Sequence, residues 1–144
     1  IIHLCGKGNI DKLYNNRSGY VQFEYAGKEL RDMFALSSLV ISRAGANAIC
    51  ELLALHKPNI LIPLSAAASR GDQILNARSF EKQGYSYVID EENLTKETLD
   101  AAIKKVMTEK ETYISNMKSS QQLDSIHTIL KLIEEASEKK KKKA

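Results

Sequence analysis

Between Ile1 and Asp90, short runs of β-branched and aliphatic residues alternate with stretches of helical length and spacing. The runs Ile1–Cys5, Val21–Phe23, Leu39–Ile41, Ile60–Ile62 and Tyr85–Ile89 read as strands. Lys28–Leu36, Ala46–His56 and Gln73–Gln83 read as helices between them. Strands separated by helices of this size imply βαβ units and a parallel sheet. Leu39–Ile41 and Ile60–Ile62 do not alternate with polar residues, which predicts strands covered on both faces. Gly84, after Gln83, stands where a helix ends and the chain turns into the next strand. The expected class is α/β, a three-layer Rossmann-like parallel sheet with C-terminal helices.

Beyond Asp90 the pattern becomes helical. Thr95, Glu97 and Thr98 open an amphipathic helix with Leu99, Ala102, Ile103 and Val106 on one side. A last helix is expected over about Gln121–Glu138, where Ile126, Ile129, Leu130 and Ile133 recur at helical spacing. The 144 residues suit one domain, expected over 1–138 with a basic tail at 139–144. Five of the 21 basic residues are Lys139–Lys143, and without them the body is slightly acidic. That distribution argues against a nucleic-acid face, which needs basic residues spread over a folded surface. The tail reads as a solvated helix end or as a segment drawn to anionic lipid headgroups. Cys5 and Cys50 lack metal-type spacing and read as buried thiols in a reducing compartment. No apolar run approaches the ~18 residues of a membrane span, and no signal-peptide pattern opens the chain.

Ligands of open parallel sheets bind beyond the carboxyl ends of the strands. Three turns therefore matter: Gly6–Asn9, Ser42–Ala46 and Pro63–Gln73. In the second, Arg43, Gly45 and Ala46 lead into a helix whose small first residues leave N–H groups open to a phosphate. Glu51 follows about six residues on, roughly 9 Å along the axis. That is about the separation of a nucleotide's diphosphate from its ribose, whose hydroxyls a carboxylate can accept. An ordinary βα turn with Glu51 as a solvated helix residue is the alternative. In the third turn, Asp72 could cap the following helix while Gln73 and Asn76 face the crevice with amides suited to sugar hydroxyls; a surface loop before a capped helix fits equally. Lys7, flanked by Gly6 and Gly8, touches an anion or sits in a simple turn, because the Walker spacing is missing. His3 reads as a satisfied core histidine, His56 as a helix-closing residue, and His127 as a residue of the last helix. No metal site and no nucleophilic triad is expected.

Val40-Ile41-Ser42-Arg43-Ala44-Gly45-Ala46, Glu51, Pro58, Ile62-Pro63-Leu64 and Ser69-Arg70-Gly71-Asp72-Gln73-Ile74-Leu75-Asn76-Ala77 together resemble the C-terminal half of the MurG family of N-acetylglucosaminyltransferases, in glycosyltransferase family 28. The resemblance runs from Cys5-Gly6-Lys7-Gly8 to about Leu94 and more loosely beyond. It implies half of a GT-B fold, with the nucleotide sugar bound by this half. Position by position, it gives Glu51 the ribose hydroxyls of UDP and Gln73 the donor sugar. Asp72 stands where some relatives have a second glutamine, and Arg43 and Gly45 lie in the turn facing the nucleotide. Uracil would be held by backbone groups within Glu24–Leu30.

The family's Gly-Gly-Ser donor loop is expected upstream of Ile1. The acceptor-binding half, with the proposed catalytic base, is expected outside this sequence too, so the chain reads as a fragment or as one subunit of a split enzyme. No catalytic residue is expected here. The implied reaction is inverting, metal-independent transfer of N-acetylglucosamine from UDP-GlcNAc to an undecaprenyl-diphosphate-linked muramoyl pentapeptide in peptidoglycan synthesis. Its implied location is the cytoplasmic face of the membrane. Alternatives are another GT-B enzyme, such as a lipid glycosyltransferase or a UDP-GlcNAc 2-epimerase, and a non-catalytic nucleotide-sugar-binding module.

Overall fold

The computed structural model describes residues 1–120 and 130–135. These fall into two compact units, Ile1–Ser38 and a second that begins at Leu39, where the sequence reads as a single domain over 1–138.

In the first unit, β1 (Ile2–Leu4) pairs in parallel with β2 (Val21–Phe23), Ile2 opposite Val21 and Leu4 opposite Phe23. The connection carries a short 3₁₀ turn, Lys12–Tyr14, capped by Asp11, whose carboxylate accepts the Leu13 N–H at 2.9 Å. The Gln22 side chain fixes this turn to β2. It accepts the Asp11 N–H at 3.1 Å and donates to the Asp11 carbonyl at 2.9 Å. Helix α1 (Leu30–Leu36) follows. His3 is exposed rather than in a core, with Nδ1 2.6 Å from the Tyr20 hydroxyl. A two-stranded sheet is too narrow to enclose it.

The second unit holds β3 (Val40–Ser42), α2 (Ala46–Ala54), β4 (Asn59–Leu61), α3 (Ala66–Ser69), α4 (Asp72–Lys82) and β5 (Tyr87–Val88). Helices α5 (Lys96–Thr108) and α6 (Lys110–Lys118) complete it. The strands are parallel in the order β3-β4-β5. The alternation read from the sequence thus produces the α/β, Rossmann-like arrangement.

Central β4 explains the core. Ile60 and Leu61 are fully buried, and Ile49, Leu52 and Leu53 of α2, Ala77 and Phe80 of α4, and Ala102 and Val106 of α5 are buried with them. Each large aliphatic side chain taken from water contributes roughly 1.5–3 kcal/mol. Asn59, buried at the start of β4, donates through Nδ2 to the carbonyls of Lys57 (2.9 Å) and Tyr85 (3.3 Å), tying the segment before β5 to the central strand. Coverage on both faces holds for Ile60–Ile62 but not for Ile41, which is 45% exposed. Among the described residues β3 pairs only with β4, at one edge of this three-stranded sheet. Cys50 likewise lies exposed, whereas Cys5 is half-buried; both are free thiols.

Thr95 caps α5 as its spacing suggests, with reciprocal bonds between Thr95 and Thr98. Helix α6 is not among the helices that the sequence pattern predicts. Of the last predicted helix, residues 130–135 are helical. The remainder of Gln121–Glu138 and the lysines 139–143 lie outside the described residues.

Candidate functional site

The carboxyl ends of β3, β4 and β5 are the places where this fold brings loops together. After β3 the chain passes through Arg43 and Ala44 into α2. Gly45 is the N-cap with extended backbone (φ −67°, ψ 141°), and no side chain caps the helix. A Cβ built on Gly45 meets nothing within 4 Å, so there is open space beside the cap residue itself. Ala46, the first helical residue, is exposed. A free helix start of this kind favours an anion, through its unpaired N–H groups and the positive end of the dipole.

Glu51 lies further along the same helix. Ile49, Leu52 and Leu53 bury the inner side, which leaves Glu51 exposed to solvent. The carboxylate is therefore neither sealed in the interior nor committed to a partner inside the core.

After β4, the loop runs through Pro63, Leu64 and Ser65 into the single turn α3, then through Arg70 and Gly71 into α4. Arg70 (φ 54°) and Gly71 (φ 87°) are consecutive left-handed residues, which reverse the chain between the two helices. This bend corrects the expected cap. Gly71 is the N-cap of α4, while Asp72 is already its first helical residue and makes no capping bond. The Asp72 charge in the first turn still suits the dipole. Gln73, half-buried, accepts the Leu64 N–H through Oε1 at 3.1 Å, and Asn76 donates from Nδ2 to the Ala44 carbonyl at 3.1 Å. Both amides hold the two strand-end turns in place from α4. Arg43 crosses between the same turns, donating from Nη1 to the Ile62 carbonyl at 3.2 Å.

The turn after β5 was not among those singled out from the sequence, yet it contributes a central group. Glu91 accepts Arg43 Nη2 on Oε1 at 2.8 Å and the Ser65 N–H on Oε2 at 3.2 Å. The Arg43 bond first, and the Ser65 amide after it, hold the Glu91 carboxyl below the usual carboxylate range, against a smaller desolvation cost. The group consequently stays ionised as pH falls into the ordinary glutamate range. The sequence does carry a signal: Asp90, Glu91 and Glu92 follow a strand at the same carboxyl end of the sheet.

Lys7 belongs to the first unit, where it is exposed between Gly6 (φ 83°) and Gly8 (φ 77°). The Gly8 N–H is donated to Glu24 Oε1 at 2.7 Å, so a carboxylate of the chain itself already meets this loop. Hydrogen bonds thus bring Arg43, Gln73 and Asn76 together at the strand-end turns, while Gly45, Ala46 and Glu51 lie along α2 and Asp72 opens α4. Among the described residues no three His, Cys, Asp or Glu side chains gather into a metal-holding group. None of the described helices is long and apolar enough to cross a membrane.

Comparison with known proteins gives a consistent result. Residues 1–141 match the family described as "Glycosyltransferase family 28 C-terminal domain". A protein of Lachnoclostridium phytofermentans named UDP-N-acetylglucosamine--N-acetylmuramyl-(pentapeptide) pyrophosphoryl-undecaprenol N-acetylglucosamine transferase is 64% identical over 135 residues, covering 94% of this chain and 38% of that protein. Proteins of the same name from Lachnospira eligens and Geobacillus thermodenitrificans are 61% and 58% identical, across 95% and 93% of this chain and 39% and 38% of theirs. The chain therefore spans about two fifths of the length of the curated relatives it matches. A crystal structure of Acinetobacter baumannii MurG superposes with a TM-score of 0.75 at 19% identity, over 94% of this chain and 41% of that one. At that identity the likeness concerns the fold.

Proposed function

The chain belongs to the glycosyltransferase family 28 C-terminal domain family, and from that membership we propose that it is the donor-binding part of an inverting transferase. In this reading, N-acetylglucosamine passes from UDP-GlcNAc to a muramoyl pentapeptide carried on undecaprenyl diphosphate. The observation that carries the reading is the pairing of a start of α2 that has no side-chain cap, with free space beside Gly45, and the exposed Glu51 on the same helix. The names of relatives that are 58–64% identical support it.

Uridine diphosphate would lie with its phosphates at Gly45 and Ala46 and its ribose hydroxyls on Glu51. Negative charge grows on the departing diphosphate as the glycosidic bond breaks. Preorganised N–H groups and the Arg43 guanidinium would stabilise that charge without reorganising at the moment of reaction. Glu51 positions the nucleotide and moves no proton. Gln73 and Asn76 would supply the amides nearest the sugar, with Asp72 and the Lys7 loop as further contacts. The acceptor and the group that deprotonates it would come from sequence that this chain shares no residues with. A lipid-linked acceptor would place the reaction at the inner membrane surface, where the lysines 139–143 would add attraction to anionic headgroups. The reading requires no resident metal.

Titration of UDP into the intact protein and its Glu51→Ala variant tests the assignment. Loss of two hydrogen bonds to a carboxylate should weaken UDP by roughly 10- to 100-fold. Thermal stability should hold, because Glu51 is exposed and alanine favours helix. Equal UDP affinity in the two proteins would remove Glu51 from the site.

A further inference from the structure

We propose that Glu91 is a positioning residue that fixes the spacing between the phosphate-side turn after β3 and the sugar-side loop after β4, an inference that rests on the donor-site reading above. One carboxylate joins all three strand-end turns: it sits after β5, holds Arg43 after β3 at 2.8 Å and the Ser65 amide after β4 at 3.2 Å. The neighbouring Leu64 amide is held by Gln73 Oε1 at 3.1 Å. Two consecutive amides of the loop are therefore gripped by two side chains, Gln73 from α4 and Glu91 from the β5 end. Arg43 in turn is held at both terminal guanidinium nitrogens, Nη1 by the Ile62 carbonyl and Nη2 by Glu91.

The base of this clamp is itself fixed. Asp90, the residue before Glu91, receives Arg78 Nη2 on both carboxylate oxygens at 2.7 and 2.6 Å, while Arg78 Nη1 donates to Glu81 at 2.7 Å. The segment that presents Glu91 is thereby tied to α4, the helix that carries Gln73 and Asn76. Small errors in spacing cost a ligand that touches both turns more than one that touches only one turn. In the donor-site reading UDP-GlcNAc would reach from the Arg43 turn to the Gln73 loop, whereas UMP would keep to α2, its ribose on Glu51 and its single phosphate at the helix start. Glu91 should matter for the first ligand and little for the second.

The test is calorimetry of UMP and UDP-GlcNAc with the intact wild-type protein, Glu91→Gln and Glu91→Asp, alongside thermal unfolding of each. Glutamine keeps the shape but cannot accept from both Arg43 and the Ser65 amide. The expected result for Glu91→Gln is about tenfold weaker UDP-GlcNAc, the size of one charge-assisted bond, with UMP within about twofold. Glu91→Asp, which keeps the charge, should recover part of the loss. Equal weakening of both ligands, or loss of the folded state in both variants, would mark a merely structural role and overturn the proposal. Unchanged or tighter UDP-GlcNAc binding would overturn it too, the latter because Glu91 would then compete with the diphosphate for Arg43. A wild-type protein that binds neither ligand overturns the donor-site reading itself, and this inference with it.

Discussion

Gly84 carries two constraints at one backbone position. Its φ of 69° is left-handed, as the reversal from α4 toward β5 requires. Its Cα also faces Asn116 of α6, whose Nδ2 donates to the Gly84 carbonyl at 3.1 Å and would lie 2.5 Å from an added Cβ. Gly84→Ala should therefore cost roughly 1–3 kcal/mol, from backbone strain together with displacement of the Asn116 amide. Chemical denaturation measures this directly. In the double variant Gly84→Ala with Asn116→Ala, the two losses should sum to less than their separate values, because the collision is removed while the strain stays. A Gly84→Ala protein as stable as wild type would contradict both constraints. The sequence disclosed the turn at Gly84 but not Asn116, 32 residues away, since a tertiary neighbour leaves no local signature. Glu51 and Glu91 differ in the same way. The distance of Glu51 from the start of its own helix was legible, whereas the role of Glu91 depends on Arg43 and Ser65 arriving from two other strands.

Among the elements, legibility followed burial and length. β4 stood out because a central strand of a parallel sheet is apolar on both faces, and Ile60 and Leu61 meet that description fully. The run Leu39–Ile41 is as apolar as Ile60–Ile62 yet exposes Ile41, because apolar character does not say which strand lies at a sheet edge. Helix α3 is four residues long, too short for any period to register. Helix α6 is separated from α5 only by Glu109, and its inward residues Tyr113 and Met117 are a single i, i+4 pair. The start of α5, by contrast, was readable from three side chains. Thr95 accepts the Thr98 N–H at 3.1 Å, and Thr98 Oγ1 accepts the Thr95 N–H at 2.8 Å. Thr95→Ala should destabilise the second unit by about 1 kcal/mol. Amide exchange should quicken over the first turn of α5, with Ala102 and Val106 protected as before. Uniform acceleration through α5 would show that the helix depends on its cap far more than on its buried face.

At the scale of the whole molecule, the length comparison limits what these residues can be asked to do. Relatives that share 58–64% identity with this chain extend well beyond it, since it covers 38–39% of each. The described groups of the second unit include strand-end turns, a helix start without a side-chain cap and an exposed carboxylate, which in the proposed reading would hold the donor. If the proposed division holds, binding energy from these turns is spent on the donor and not on the acceptor. Substitution of Gln73 or Glu51 in the intact protein should then raise KM for UDP-GlcNAc and weaken inhibition by UDP. The KM for the lipid-linked acceptor should stay within about twofold, because contacts to one substrate alone change that substrate's binding term. Steady-state kinetics with each substrate varied in turn would measure the split. A parallel rise in acceptor KM would mean that these turns also shape the acceptor's site, and the assignment of donor binding alone to this part of the protein would have to be abandoned.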